Sequence, residues 1–327
     1  MTHLPRAGAV TVAGAGVLGL SIALALAERG HAVTVVADRA PHETTSAAAG
    51  AMCSGSYLTA ADAQVRAWAL EGLAHFTALA TGPDAALAGV SLAEGVSVSR
   101  RATGYLPPMA AALSGTARAA AAHELPAGYA SGWRYRTAFI DMPRYLAYLL
   151  ARLEAGGARF IRERLETLEG LGPVVVNATG LGARRLARDC GVSAVRGQLV
   201  VLENPGTVTE FFDDTDDAGA ELTYIYPHAQ SVLLGGTSEP GNEDLSPCER
   251  SARQIIDRAL RIRPELAGAR VIGHRVGLRP ARARIRLEAE PAAGGGLVVH
   301  CYGHGGAGVS LAHGCARAVA QLVPAAP

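Results

Sequence analysis

The sequence has few cysteines, and none lies in a metal-binding or disulfide pattern. The 327-residue chain contains five of them, Cys53, Cys190, Cys248, Cys301 and Cys315, and no two have CxxC spacing. This distribution argues against a zinc site and against a disulfide framework, and it is typical of the reducing cytoplasm. We therefore expect a cytoplasmic protein that binds no metal.

The sequence also lacks a strong charge of either sign and a long hydrophobic run. Thirty basic and 29 acidic residues leave a net charge of +1, so no basic field predicts binding to nucleic acid. No apolar run is long enough to span a bilayer, and the first residues do not resemble a signal peptide, so we expect no membrane association. The sequence contains no nucleophile-elbow motif, so a serine hydrolase is not expected.

A glycine-rich motif near the start of the chain predicts a dinucleotide-binding unit. Its parts are an apolar strand, a turn, a helix and a second strand, at residues 9–12, Gly14-Ala15-Gly16-Val17-Leu18-Gly19, 20–29 and 31–37. Gly14 suits the tight turn, Gly16 lets backbone approach a pyrophosphate, and Gly19 lets the helix pack closely on the sheet. The helix N-terminus attracts the diphosphate, and the Asp38 carboxylate can accept hydrogen bonds from the adenosine ribose. The motif alone leaves NAD and FAD open.

Six short motifs further along the chain share one family pattern. They are Val36-Ala37-Asp38-Arg39 followed by Thr44-Thr45-Ser46 and Gly50, Val176-Asn177-Ala178-Thr179-Gly180, Arg196-Gly197-Gln198, Tyr224-Ile225-Tyr226-Pro227, Gly277-Leu278-Arg279-Pro280 with Arg286-Leu287-Glu288, and Tyr302-Gly303-His304-Gly305-Gly306-Ala307-Gly308. Each is short, but their common order is specific. Over nearly its whole length the chain resembles the D-amino-acid oxidase family of FAD flavoproteins.

The resemblance implies an α/β fold with two discontinuous domains. Apolar runs such as residues 173–177 are typical of buried parallel strands, whereas residues 195–237 alternate like antiparallel strands. Helices are predicted at residues 60–81, 110–122, 141–154, 183–189, 247–261 and 310–322. We predict a Rossmann-like FAD-binding domain and a second, mainly antiparallel-sheet substrate domain, formed respectively by residues 1–56, 140–195 and 270–327, and by residues 57–139 and 196–269.

The same resemblance implies FAD as the cofactor and assigns residues to it. The expected FAD-binding residues are Gly14, Gly16, Val17, Leu18, Gly19, Asp38, Arg39, Thr44, Thr45, Ser46, Gly50, Ala51, Leu165, Thr179, Gly180, Gly305, Gly306, Gly308, Val309 and Ser310. The loop at 305–310 starts the last helix, so its N-terminus should stabilise negative charge on the reduced flavin.

The implied reaction is the oxidation of a D-amino acid by hydride transfer from Cα to FAD. It gives an imino acid that hydrolyses to a 2-oxo acid and ammonia, and O₂ reoxidises the flavin to give H₂O₂. The expected catalytic residues are Arg279, whose fork suits a carboxylate, Tyr224, whose hydroxyl also holds that carboxylate, and Gly306, whose carbonyl takes the amine. Tyr226 is predicted to lie on the opposite face of its strand, and His304 is predicted to be structural.

Some segments depart from the family pattern and leave the substrate open. They are the run at 51–56, an acidic segment at 212–219 that we interpret as a lid loop, and Ala307, where an aromatic residue is common. These departures predict a roomier pocket, and the lack of an extra arginine near 211–217 favours neutral over acidic D-amino acids. The alternatives are an oxidase of glycine, a secondary amine or a pathway-specific amino acid, a flavin-binding protein without turnover, and an NAD-dependent dehydrogenase. The expected partners are a small amino acid and O₂, and a homodimer is compatible with the sequence.

Overall fold

The computed structural model describes residues 8–53, 62–101, 116–214, 221–292 and 295–326. The chain divides into two compact units, each built from separate stretches of sequence. Unit 1 comprises Met1–Ala47, Met142–Val195 and Leu278–Pro327, and unit 2 comprises Ala48–Asp141 and Arg196–Gly277. The predicted domain limits, and the assignment of cofactor and substrate to one domain each, stay predictions.

The described part of the chain contains both strands and helices. The strands are β1 (Ala9–Ala13), β2 (Ala32–Ala37), β3 (Val90–Ser99), β4 (Arg118–Ala119), β5 (Ser131–Ile140), β6 (Arg159–Arg162), β7 (Val174–Asn177), β8 (Ser193–Glu203), β9 (Phe211–Asp214), β10 (Glu221–Pro227), β11 (Ser231–Thr237), β12 (Glu239–Pro240), β13 (Val271–Pro291) and β14 (Leu297–His304). The helices are α1 (Val17–Ala27), α2 (Ala63–Thr81), α3 (Ala85–Ala88), α4 (Met142–Ala155), α5 (Ala183–Leu186), α6 (Glu249–Ile262) and α7 (Gly308–Leu322). None of the described helices is long and apolar enough to cross a membrane.

Unit 1 is built on a parallel sheet with the strand order β14-β7-β1-β2-β6. Val10 pairs with Val33 on one side and with Val174 on the other, so valine-rich strands lie at the centre of the sheet. Parallel strands of this kind are stable only when helices bury both faces of the sheet. Helix α1 packs against α7 and α4, and its residues Leu20, Ile22 and others are buried. The end of β13 pairs antiparallel with β14 at the edge of this sheet.

Unit 2 is built on a mainly antiparallel sheet with the strand order β4-β5-β3-β9-β10-β11-β8. Its one parallel pair among the described strands joins β3 to β9. Valine, leucine and isoleucine side chains from these strands form a core with the apolar face of α6, which contributes Ala252, Ile255 and Ala259. Asp62 precedes helix α2 and caps it, because its carboxylate accepts a 2.9 Å hydrogen bond from the Gln64 amide.

The predicted fold class is confirmed, but two local predictions are wrong. In the described part of the predicted helix at 110–122, Arg118–Ala119 forms strand β4 and pairs with β5. Alanine-rich composition favours a helix only weakly, and strand pairing overrides it here. Residues 212–214 are not in a loop but in β9, where their side chains are buried. Residues 110–115 and 215–219, which belong to these two predicted segments, lie outside the described residues.

Candidate functional site

The turn between β1 and α1 has the close packing that the glycine motif predicts. Gly14 has a φ of +110°, and a Cβ there would lie 2.5 Å from the carbonyl oxygen of Ala178. A Cβ at Gly19 would overlap the carbonyl oxygen of Gly14. Both positions therefore accept glycine only, because a side chain would push α1 away from β1 and from the end of β7. This packing places the N-terminus of α1 directly after the end of β1, which is where a pyrophosphate binds in such a motif.

The N-terminus of α1 is completed by a side chain from the small-residue segment. The hydroxyl oxygen of Ser46 accepts a 3.0 Å hydrogen bond from the amide of Val17. A Cβ at Gly16 would lie 3.0 Å from the same oxygen, so an alanine there would crowd Ser46. Together with Leu18, these residues surround the positive end of the helix dipole, which attracts phosphate oxygens.

Other predicted cofactor residues of unit 1 follow the ends of its strands. Asp38 and Arg39 are exposed at the end of β2, where a ribose could reach the carboxylate. The Thr44 hydroxyl donates to the carbonyl of Pro41 at 2.7 Å, and the Thr45 hydroxyl donates to the carbonyl of Leu278 at 3.2 Å. These bonds hold the segment that follows β2.

The ends of β6 and β7 contribute a second group. Leu165 is buried, and its carbonyl accepts a hydrogen bond from the Arg185 guanidinium. The Thr179 hydroxyl donates to the side-chain oxygen of Asn177 at 2.7 Å, and Gly180 has a φ of +58°. Backbone that must turn sharply at the end of a parallel strand is typical of nucleotide sites.

The second glycine-rich turn joins β14 to α7 within unit 1. His304 is buried at the end of β14, Gly305 has a φ of +54°, and Gly306 is exposed. Gly308 then starts α7, in which Val309 and Ser310 are buried. The turn therefore presents exposed backbone at the positive end of a helix, which suits an electron-rich group.

The strand that carries Arg279 is anchored within unit 1 by a hydrogen-bond network that no sequence motif predicts. The Asp189 carboxylate accepts hydrogen bonds from Arg282 at 3.0 Å and from the Tyr302 hydroxyl at 2.8 Å, and Arg286 donates to that hydroxyl at 2.8 Å. Burial opposes ionisation of Asp189, but hydrogen bonds from Tyr302, Gly191 and Arg282 outweigh it and lower the pKa of the carboxyl. Arg279 is half-buried on the same strand.

The Tyr224 ring lies against glycines of unit 2. A Cβ at Gly235 would overlap the ring, one at Gly236 would lie 3.0 Å from the hydroxyl oxygen, and one at Gly50 would lie 3.3 Å from the ring edge. Tyr224 is buried, and its ring stacks on that of Tyr226 with 4.4 Å between centroids. These glycines set the orientation of the tyrosine ring.

The predicted placement of Tyr226 on the opposite strand face is wrong. Side chains alternate along a strand, so residues two apart share a face. The hydroxyl of Tyr226 donates to Asp213 at 3.2 Å, in a buried setting. Tyr226 therefore lies on the same strand face as Tyr224, and its ring stacks on the Tyr224 ring.

Gly50 and Ala51, both predicted to bind FAD, lie in unit 2 rather than unit 1. Ala51 has a φ of +50°, and its carbonyl accepts a 2.9 Å hydrogen bond from the amide of Ile140. A non-glycine residue seldom adopts this conformation, and such strain is common at functional positions. This observation keeps Ala51 among the candidate site residues.

The parallel sheet and the glycine turn that leads into α1 define unit 1 as a Rossmann-type dinucleotide-binding domain. The family described as FAD dependent oxidoreductase matches residues 9–322 of the chain. D-amino-acid oxidase from Rubrobacter xylanophilus is 43% identical over 318 residues, covering 96% of this chain and 95% of the relative. D-amino-acid oxidase from Streptomyces coelicolor is 43% identical and covers 97% of each chain. The chain therefore belongs to the D-amino-acid oxidase family of FAD-dependent oxidoreductases.

Solved structures agree with this fold. Glycine oxidase from Geobacillus kaustophilus has a TM-score of 0.81 with 20% identity, and it matches over 96% of this chain and 93% of its own. At that identity the likeness concerns the fold alone. A further relative in sequence, human D-aspartate oxidase, is 36% identical and covers 96% of this chain and 94% of its own. FAD is the cofactor, which decides between the two dinucleotides that the first motif left open.

Proposed function

We propose that the protein oxidises neutral D-amino acids to imino acids, with O₂ as the electron acceptor and H₂O₂ as a product. The observation that carries this proposal is the 43% identity to a D-amino-acid oxidase over 96% of the chain. The close-packed glycine turn between β1 and α1 supports it. When bound, FAD supplies the redox chemistry by accepting a hydride. The chain must then bind, orient and shield the amino acid.

Arg279 is proposed to bind the substrate carboxylate. A guanidinium holds a carboxylate through two parallel hydrogen bonds, which fixes the orientation of the amino acid as well as its position. The backbone that carries Arg279 is held by Arg282 and Arg286 through Asp189 and Tyr302. A guanidinium on an anchored strand holds the substrate in a fixed position. Such positioning accounts for much of the rate enhancement in reactions of this kind.

Tyr224 and Gly306 are proposed as the other substrate-binding groups. The Tyr224 ring is held between glycines and Tyr226, so its hydroxyl has little rotational freedom to lose on binding. Gly306 is exposed, and its carbonyl is proposed to accept a hydrogen bond from the amine. Neither group has to change its protonation state.

The substrate class rests on charge. The acidic residues Asp213 and Asp214 lie buried at the end of β9, where Asp214 accepts hydrogen bonds from Arg100 at 2.7 Å and from Tyr129 at 2.6 Å. Because Arg100 is engaged by this aspartate, it does not supply a surplus charge for a second substrate carboxylate. D-amino acids with neutral side chains therefore remain the favoured substrates. The cytoplasmic location and a homodimer stay predictions.

The test is anaerobic mixing of the purified yellow holoenzyme with a panel of amines while the flavin absorbance is followed. The panel contains D-alanine, D-methionine, D-proline, D-aspartate, glycine and sarcosine, with L-alanine and L-methionine as enantiomeric controls. We expect rapid bleaching by neutral D-amino acids, slower bleaching by D-aspartate, and none by the L-enantiomers. Bleaching by glycine or sarcosine alone would replace the proposal with the glycine or secondary-amine alternative, and no bleaching at all would contradict oxidation of amino acids.

Replacement of the guanidinium that is proposed to bind the carboxylate tests the role of Arg279. Loss of one partner of a buried, hydrogen-bonded charge pair costs about 2–5 kcal/mol, which corresponds to about a 30- to 5,000-fold loss of affinity. Arg279→Ala should therefore raise KM for the best D-amino acid by this factor while the FAD content stays unchanged. Arg284→Ala, at an exposed position of the same strand, is the matched control. Equal KM values for the two variants would remove Arg279 from the proposal.

A further inference from the structure

Three side chains of unit 1 that favour metal ions come together beside the second glycine-rich turn, and none of them is a predicted cofactor or substrate residue. Cys301 lies in β14, His304 ends that strand, and Cys315 lies in α7. They are 0%, 5% and 0% exposed, and one donor atom from each lies within 4.8 Å of the other two. The sequence predicts no metal site, because no two cysteines have the spacing that is usual for one. The pairing of a strand with a helix produces the cluster instead.

The distances fit tetrahedral coordination. Zinc binds cysteine sulfur at about 2.3 Å and histidine nitrogen at about 2.0–2.1 Å, so tetrahedral angles place the donor atoms about 3.5–3.8 Å apart. The Nε2 atom of His304 lies 3.4 Å from the Sγ atom of Cys315. This pair therefore already has a coordination distance, and the other two pairs, within 4.8 Å, need to close by about 1 Å or less. No ion is present, and the other ring nitrogen of His304 is buried without a hydrogen-bond partner among the described residues.

The donor set identifies the class of ion. Two thiols and one imidazole are soft or borderline ligands, which select Zn²⁺ and similar d¹⁰ cations over Mg²⁺ or Ca²⁺. The described residues form no disulfide at either cysteine. Regular secondary structure holds all three side chains, so little conformational entropy is lost when an ion binds.

We propose that Cys301, His304 and Cys315 form a binding site for a thiophilic d¹⁰ cation, with Zn²⁺ as the probe. The two thiols lose their protons to solvent as the sulfur–zinc bonds form, and the fourth position is left to a water molecule. The bound ion would join the end of β14 to α7 and so brace the turn at Gly305–Ala307 that connects them. The site does not depend on the proposed substrate or on turnover.

Metal analysis of the holoenzyme tests this site directly. The protein is first treated with a chelator, then dialysed against ZnSO₄, desalted and assayed for zinc by atomic emission. We expect about one zinc ion per chain in the wild type and strongly reduced zinc in Cys301→Ser and Cys315→Ser. Cys190→Ser and Cys248→Ser, at the exposed cysteines, are matched controls that should keep the zinc.

A labelling experiment on the wild type covers the case in which a buried cysteine variant does not fold. Zinc should slow alkylation of Cys301 and Cys315 under partly denaturing conditions, without protecting the exposed Cys190 and Cys248, and it should raise the Tm. The proposal is wrong if the wild type retains no zinc, if the exposed-cysteine variants lose it, or if purified protein contains a Cys301–Cys315 disulfide.

Discussion

Replacement of Gly14 by alanine tests whether the first turn is held together as the structure indicates. Two costs act at this position. An alanine in left-handed backbone costs about 1–2 kcal/mol. The new Cβ would also lie 2.5 Å from the carbonyl oxygen of Ala178, and overpacking of this kind costs about 1–3 kcal/mol. We therefore expect Gly14→Ala to lower the free energy of unfolding by about 2–5 kcal/mol.

Gly157 provides the matched control, because it isolates the first cost from the second. It also lies in unit 1 with a positive φ of 82°, but a Cβ there would meet no atom within 4 Å. Gly157→Ala should therefore cost only the conformational term of about 1–2 kcal/mol.

The assay is urea denaturation of both variants, followed by far-UV circular dichroism, with FAD affinity measured by fluorescence titration of the apoprotein. Only Gly14→Ala should weaken FAD binding, because its turn must move away from Ala178. Equal destabilisation of the two variants, or full FAD affinity in Gly14→Ala, would refute the steric argument for this turn.

Two further predictions concern residues outside the glycine turn between β1 and α1. Tyr226→Phe removes the 3.2 Å hydrogen bond to buried Asp213 and should destabilise the protein by about 1–3 kcal/mol, measured as a lower Tm with an intact flavin spectrum; an unchanged Tm would mean that the bond contributes nothing. Burial lowers the pKa of His300 despite its hydrogen bond to Glu290, so the native state binds fewer protons than the unfolded chain. Its contribution to stability is complete above about pH 6.5 and declines as pH falls towards the lower folded value. In His300→Asn, urea midpoints between pH 7.5 and 5.5 should vary less than in the wild type, and an equal pH slope would contradict this role.

Local patterns predicted the cofactor unit because each part of it is contiguous in sequence. The strand, the glycine turn and the helix at residues 9–27 follow one another directly, and their backbone requirements appear as residue types. The same holds for the turn at Gly305–Gly308, whose positive φ and helix start are local properties. Helix α1 starts at Val17, three residues before the predicted start at Leu20.

The errors arose where distant segments compete with local preference. Arg118 and Ala119 pair with β5 rather than continuing an alanine-rich helix. Phe212 and Asp213 pair with β10 and are buried, although an acidic stretch is typical of a loop. The prediction for Tyr226 is wrong for a different and purely local reason, since residues two apart on a strand share a face.

Residue order alone specified the family, the cofactor and the types of strand, because glycine, small residues and valine runs carry those constraints within a few positions. Folding was required to bring Asp189 to Tyr302 and Arg282, to set Tyr224 against Gly50 and Gly235, and to gather Cys301, His304 and Cys315. Such groupings depend on which strands and helices become neighbours. That choice is made by the burial of whole faces, so no short stretch of sequence contains it.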